Sequence, residues 1–233
     1  MKIFVISDLH LTSSTNKPMD IFGGNWAGGY WEKIKKDWRE KVSENDVVLI
    51  GGDISWAMTL DGALDDLKEI DELPGKKILI RGNHDYWWAS MNKMKALPLR
   101  NIIFIQNSAI KIEDRVFCGT RGWTVPEEAD KQTEEDKKIF EREKIRLELT
   151  LSEASKLAQN GEKIVCMMHY PPFNATFADS DFTEAIKKHN VSTVIYGHLH
   201  GNLSRYKDVV YKNGIPYYLT SCDFLNNKLL QIK

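Results

Sequence analysis

The sequence predicts an α/β protein, and three observations predict it. Short runs of strand formers recur through the first hundred residues, helical stretches separate them, and the C-terminal half is rich in strand formers. The rhythm is that of βαβ units.

Strands are expected at Lys2 to Ile6, Val47 to Ile50, Lys77 to Ile80 and Ile102 to Ile105. The first connecting helix covers Tyr30 to Val42, where Trp31, Ile34, Trp38 and Val42 share one face. A second spans Leu60 to Leu73 and is closed by Pro74-Gly75; a third, shorter, covers Trp87 to Leu97. Next, Ala109 to Ile112 and Val116 to Gly119 read as a hairpin turning at Glu113-Asp114, expected to extend the sheet. Glu134 to Gln159 is a charged crossover helix, with Ile139, Ile145, Leu149 and Leu157 as its apolar residues and Asn160-Gly161 as its stop. Lys163 to Met168, Thr193 to Tyr196, Val209 to Lys212, Ile215 to Thr220 and Lys228 to Ile232 supply the remaining strands. The Gly-rich stretch Gly23 to Gly29 is expected to be a flexible loop.

At 233 residues, 42% hydrophobic and 28% charged, the chain has the apolar content for one domain over residues 1–233. That domain carries a Gly- and Trp-containing loop at about 12–30 and a charged helical insertion at about 127–160. With 32 basic against 33 acidic residues the net charge is -1, so no overall pull toward nucleic acid or a membrane surface exists. An anionic substrate must be attracted locally. Cys118, Cys166 and Cys222 lack metal-binding or disulfide spacing and read as buried small hydrophobes. The apolar run after Met1 is too short for a signal peptide or membrane span, which points to a cytoplasmic protein.

The chemistry sits where strands end. Asp8-Leu9-His10 follows the first, Gly51-Gly52-Asp53 the second, Gly82-Asn83-His84-Asp85 the third, His169 the strand ending at Met168, and Gly197-His198-Leu199-His200 the one ending at Tyr196. Ligands of open α/β sheets bind outside the carboxyl ends of parallel strands, so these groups are expected to converge. Five of the six histidines occupy such ends, His189 being the exception. Gathering so many titratable groups without a metal is unfavourable. Carboxylate, amide and imidazole donors without thiolates suit Mn, Fe, Zn or Co, in number enough for two ions, and Asp53 is the natural bridge.

The ordered blocks DxH, GD, GNHD, a lone His and GHxH resemble those of the calcineurin-like metallophosphoesterases, and they run from Asp8 to His200. The resemblance implies a four-layer αββα sandwich of two mixed sheets. It further implies that Asp8, His10 and His200 hold one metal ion and Asn83, His169 and His198 a second, with Asp53 bridging. A water shared by two such ions loses its proton near neutral pH and attacks a phosphate ester in line. His84 would steady the transferring phosphoryl group or protonate the leaving oxygen, and Asp85 would fix its loop. Trp56 stands where purple acid phosphatases have a tyrosine ligand, so divalent Mn or Fe is favoured; the Arg-containing block of protein phosphatases is missing.

Trp26, Tyr30, Trp56, Trp87, Trp88 and Trp123 lie in or just after strand-end loops, where they either pack the core or stack on a substrate such as a nucleotide. Arg121 is a candidate phosphate contact, with Tyr170 and Asn202 weaker candidates. Three functions are compatible with the sequence: a hydrolase of small phosphomonoesters or phosphodiesters, a metal-dependent nuclease, and a scaffold that has lost turnover. The lack of a basic stripe disfavours the nuclease, and the complete ligand set disfavours the scaffold.

Overall fold

The computed structural model describes residues 1–127, 132–201 and 207–233. In chain order the elements of the first half are β1 (Ile3–Ile6), α1 (Tyr30–Lys41), β2 (Val47–Ile50), α2 (Leu60–Asp71), β3 (Lys76–Leu79), α3 (Met91–Lys95) and β4 (Ile102–Phe104). The second half holds β5 (Ser108–Ile112), β6 (Arg115–Thr120), α4 (Glu134–Leu157), β7 (Lys163–Met168), α5 (Asp181–Lys188), β8 (Val191–Tyr196), β9 (Val209–Lys212), β10 (Ile215–Leu219) and β11 (Leu230–Ile232).

These strands form two mixed sheets. The first, ordered β11-β1-β2-β3-β4, is parallel except for β11; the second, ordered β5-β6-β7-β8-β10-β9, is parallel in its middle and antiparallel at both edges. Strand alternation explains why they stack. Val5, Leu49, Ile78, Phe117, Val165 and Ile195 point into the space between the sheets and form one apolar cluster. The opposite face of the first sheet, with Phe4, Ile6, Val48 and Ile50, packs on Ile34 and Trp38 of α1 and Leu67 and Ile70 of α2. The outer face of the second, with Cys118, Cys166 and Val194, packs on Leu147 and Leu151 of α4 and Phe182 and Ile186 of α5. The result is the αββα sandwich. All three cysteines are free and buried.

Several sequence expectations need correction. The β5–β6 hairpin opens the second sheet instead of extending the first, because β6 pairs with β7 and not with β4. The third helix is only Met91–Lys95: Trp87 and Trp88 precede it with their indole N–H groups tied to Asp85 and Gln106. In α4 the buried stripe is Glu143, Leu147, Thr150, Leu151 and Ala154, while Ile145 and Leu149 are exposed at 61% and 64%. The loop before α1 contains two 3-10 turns and buries Trp26. Helix α5 has no counterpart in the sequence reading; its eight residues bury only Phe182, Thr183 and Ile186, too little periodicity to register, and Ser180 and Thr183 close it with a capping box. Among the described residues, no helix is long and apolar enough to cross a membrane.

Candidate metal centre

The carboxyl ends of the central strands of both sheets meet at one edge of the sandwich. Ser7, leaving β1, donates its N–H to the Thr220 carbonyl beyond β10 (2.8 Å) and accepts from Cys222 N–H (3.0 Å), which joins the sheets there. The loops after β1 and β2 run side by side, with Asp8 N–H on the Gly52 carbonyl (2.9 Å) and His10 N–H on that of Asp53 (3.0 Å).

Turning so many side chains inward strains the backbone. Asp8, His10, Asp53 and His198 have φ of 60°, 48°, 52° and 70°, the left-handed region that non-glycine residues rarely occupy. Asp85 offsets this strain. Its buried carboxylate accepts N–H groups of Asp53 (2.9 Å), Ile54 (2.8 Å), Ser55 (3.3 Å) and Gly82 (2.8 Å) and the Trp87 indole (3.0 Å), so it clamps the loops after β2 and β3 together. Two glycines are required by close approach: a Cβ at Gly82 would run into the Asp53 carboxylate, and one at Gly197 into that of Asp8.

The result is two facing groups. Asp8, His10 and His200 present ligand atoms within 4.8 Å of one another, as do Asp53, His169 and His198. Asp53 Oδ2 lies 3.8 Å from His10 Nε2 and 3.5 Å from His169 Nε2, within reach of both groups. Asn83 joins the second, its Oδ1 standing 2.7 Å from His169 Nε2. Gly51's carbonyl faces His169 Nδ1 at 3.0 Å and accepts its proton, so Nε2 turns a lone pair toward another acceptor. A cation between them satisfies both. His10 Nδ1 and His200 Nε2 are further buried ring nitrogens without a hydrogen-bond partner.

Electrostatics point the same way. Burial pushes His10 down to about 3 and both His169 and His198 down to about 4, which keeps them neutral with lone pairs free. Burial, then the Asp85 and Asp8 carboxylates, lift Asp53 to about 9. Burial would also raise Asp8, but His200, His169 and His10 outweigh it and hold that carboxyl well below the usual range. Burial opposes charge on His200, yet Asp8 and Asp223 raise it to about 10. Protons on Asp53 and His200 thus balance the cluster, and divalent cations would displace them. The donor set fits two metal ions.

The remaining predicted residues divide. His84 donates its backbone N–H to Asp53 Oδ1 (2.8 Å) and sets its ring 4.5 Å from that of Trp56; burial and Lys17 lower its proton affinity, and its Nδ1 is unpartnered. A cavity of about 490 Å³ opens beside it, lined by His10, His84, His200, Trp26, Trp56 and Phe22. Trp56 stacks on His10, a candidate ligand, at 4.9 Å. Trp87 and Trp88 are core residues, and Tyr30 O–H bonds to the Leu9 and His10 carbonyls. Tyr170 packs on His198 at 4.2 Å, Trp123 on Tyr170 at 5.3 Å, and Arg121 over Trp123, with its guanidinium 3.8 Å from Glu143. Asn202 lies outside the described residues. His189 is held by Glu148 and Ser155, away from the site. Asp223 was missed by sequence reasoning: buried at 4% exposure, it accepts from His200 Nδ1 at 2.9 Å and orients that ring. Its only sequence signal is its place just past β10.

Paired clusters of carboxylates and imidazoles at the strand ends of an αββα sandwich define a metal-binding α/β protein. The chain belongs to the calcineurin-like phosphoesterase family, whose model matches residues 1–202. No curated protein matches it. Among solved structures, the Thermus thermophilus protein TT1561 superposes with a TM-score of 0.57 at 12% identity over 100% of this chain and 98% of its own. An Aquifex aeolicus protein of unknown function gives a TM-score of 0.51 at 16% identity, over 99% and 95%. Both share the fold.

Proposed function

We propose that the protein is a dinuclear metal-dependent phosphohydrolase that cleaves a small phosphomonoester or phosphodiester. The observation that carries this reading is the position of Asp53 Oδ2, a member of one ligand group that also lies 3.8 Å from His10 Nε2 of the other, where one carboxylate can serve both. Divalent ions held there, Mn or Fe in preference to Zn or Co, would supply a water nucleophile near neutral pH and neutralise phosphate charge. The chain's own residues do the rest. Asp53 and Asp8 set the spacing of the groups, and His84, whose proton affinity is lowered, lines the cavity, where its ring can hydrogen-bond a phosphoryl oxygen or the leaving oxygen. The cavity next to His84 has aromatic walls in Trp26, Trp56 and Phe22, which favour a leaving group with a flat or apolar body, a nucleoside included.

Manganese-reconstituted protein should hydrolyse p-nitrophenyl phosphate or bis-p-nitrophenyl phosphate, tested beside cyclic nucleotides and single-stranded DNA. Predominant turnover of the DNA would overturn the small-substrate reading. Asp53→Asn should lose both bound manganese, measured by elemental analysis, and turnover; full activity in that variant contradicts the bridging role.

A further inference from the structure

A second polar cavity, of about 210 Å³, lies apart from the aromatic one, between the ends of β3 and β6 and the side of α4. Four guanidinium groups, Arg81, Arg121, Arg142 and Arg146, line it together with the buried carboxylate of Glu143 and the side chain of Asn107. One negative charge therefore faces four positive ones. Glu143 Oε1 is 2.6 Å from Arg146 but 3.8 Å from both Arg121 and Arg142, so only Arg146 has a close ion pair with it. Arg81 has no acidic partner within ion-pair distance among the described residues, and its Nε is buried without a hydrogen-bond acceptor. A buried N–H donor left unpaired is unfavourable, and like charges at Arg142 and Arg146, one helical turn apart, destabilise α4 further. An anion removes both penalties.

We propose that this cavity is an anion subsite that takes a phosphate dianion, gripped by guanidinium forks that Glu143 holds in place. Two of its arginines are joined through the backbone to candidate ligands of the metal centre. Arg81 directly precedes Gly82-Asn83, and the Arg121 carbonyl accepts the N–H groups of His169 (3.1 Å) and Tyr170 (3.0 Å). Its occupant is either the second phosphate of a doubly phosphorylated substrate, which rests on the proposed hydrolase reading, or free inorganic phosphate.

The test is the number of inorganic phosphates bound per manganese-loaded chain, read by titration calorimetry. Replacing Arg142→Gln with Arg146→Gln, both partly exposed on α4, should remove one phosphate per chain or weaken it at least about tenfold. Lys137→Gln with Lys138→Gln, the same charge change on the exposed side of α4, should remove none. Equal counts and affinities in wild type and the arginine variant overturn the subsite. One phosphate in wild type and none in the variant upholds it while showing that the metal centre itself does not take phosphate. The KM ratio of adenosine 3′,5′-bisphosphate to p-nitrophenyl phosphate separates the sources: a rise of about fivefold or more in the variant assigns the subsite to the substrate's second phosphate, and a fixed ratio to free phosphate. Turnover of neither monoester leaves the phosphate count to decide the subsite, and the hydrolase reading is sunk only if bis-p-nitrophenyl phosphate and cyclic nucleotides are not turned over either.

Discussion

Asp223 shows how a residue outside the two ligand groups can orient a candidate ligand. Its carboxylate fixes the Nδ1 side of His200, leaving Nε2 aimed at Asp8 Oδ1 3.4 Å away. Loss of such a supporting partner typically weakens metal affinity about 10–100-fold. Asp223→Ala should therefore raise the manganese concentration needed for half-maximal activity by that factor, with kcat at saturating metal largely retained; an unchanged metal requirement contradicts the assignment. His84 makes the opposite case, since it hydrogen-bonds a candidate ligand only through its backbone and its ring belongs to neither ligand group. His84→Ala should keep both metals by elemental analysis and slow turnover by about 10²–10⁴-fold; loss of metal would make it a ligand. The sequence made the ligands legible because each follows a strand of Val, Ile and Leu by one to four residues. Asp223 was not legible, because its contact with His200 joins residues 23 apart in sequence and belongs to no strand-end block. Nor was the fate of Trp87, since an aromatic residue in a strand-end loop looks the same in sequence whether it faces the core or a cavity.

At the scale of elements, the first sheet was readable almost to the residue, as β2 illustrates: Val47 to Ile50 is wholly buried on both faces, and a continuous apolar run leaves no ambiguity. Helix α4 was readable in extent but not in orientation. Its 24 residues carry more apolar side chains than one stripe needs, and the apolar positions alone, Ile145 and Leu149 among them, do not show that Leu147, Leu151 and Ala154 form the buried side together with Glu143. Glu143 itself obscured the pattern, a charged residue inside the stripe because of the arginines around it. Stability measurements separate the faces. Leu151→Ala, at 0% exposure, should lower unfolding free energy by about 2–5 kcal/mol in urea denaturation, and Ile145→Ala by no more than about 0.5 kcal/mol. Equal losses would mean that α4 presents a different face to the second sheet.

For the whole molecule, the metal centre is also a joint between layers. Asp8 and Asp53 come from the first sheet and His169, His198 and His200 from the second, while Asp8 additionally accepts the His198 N–H at 3.0 Å across the same gap. Cations bound by both sheets therefore oppose their separation, whereas the stripped cluster keeps strained backbone and clustered imidazoles with less to hold them. An ion at 100 times its Kd adds about 2.7 kcal/mol, and a chain of this size gains roughly 2–4 °C in Tm per kcal/mol. Loading both sites should raise Tm by roughly 10–20 °C over chelator-treated protein, and Asp53→Asn, which removes the shared carboxylate, should abolish most of that gain. A melting temperature indifferent to manganese would mean that the ligands belong to one sheet's edge without bracing the other, and the two-sheet origin of the site would then have no consequence for stability.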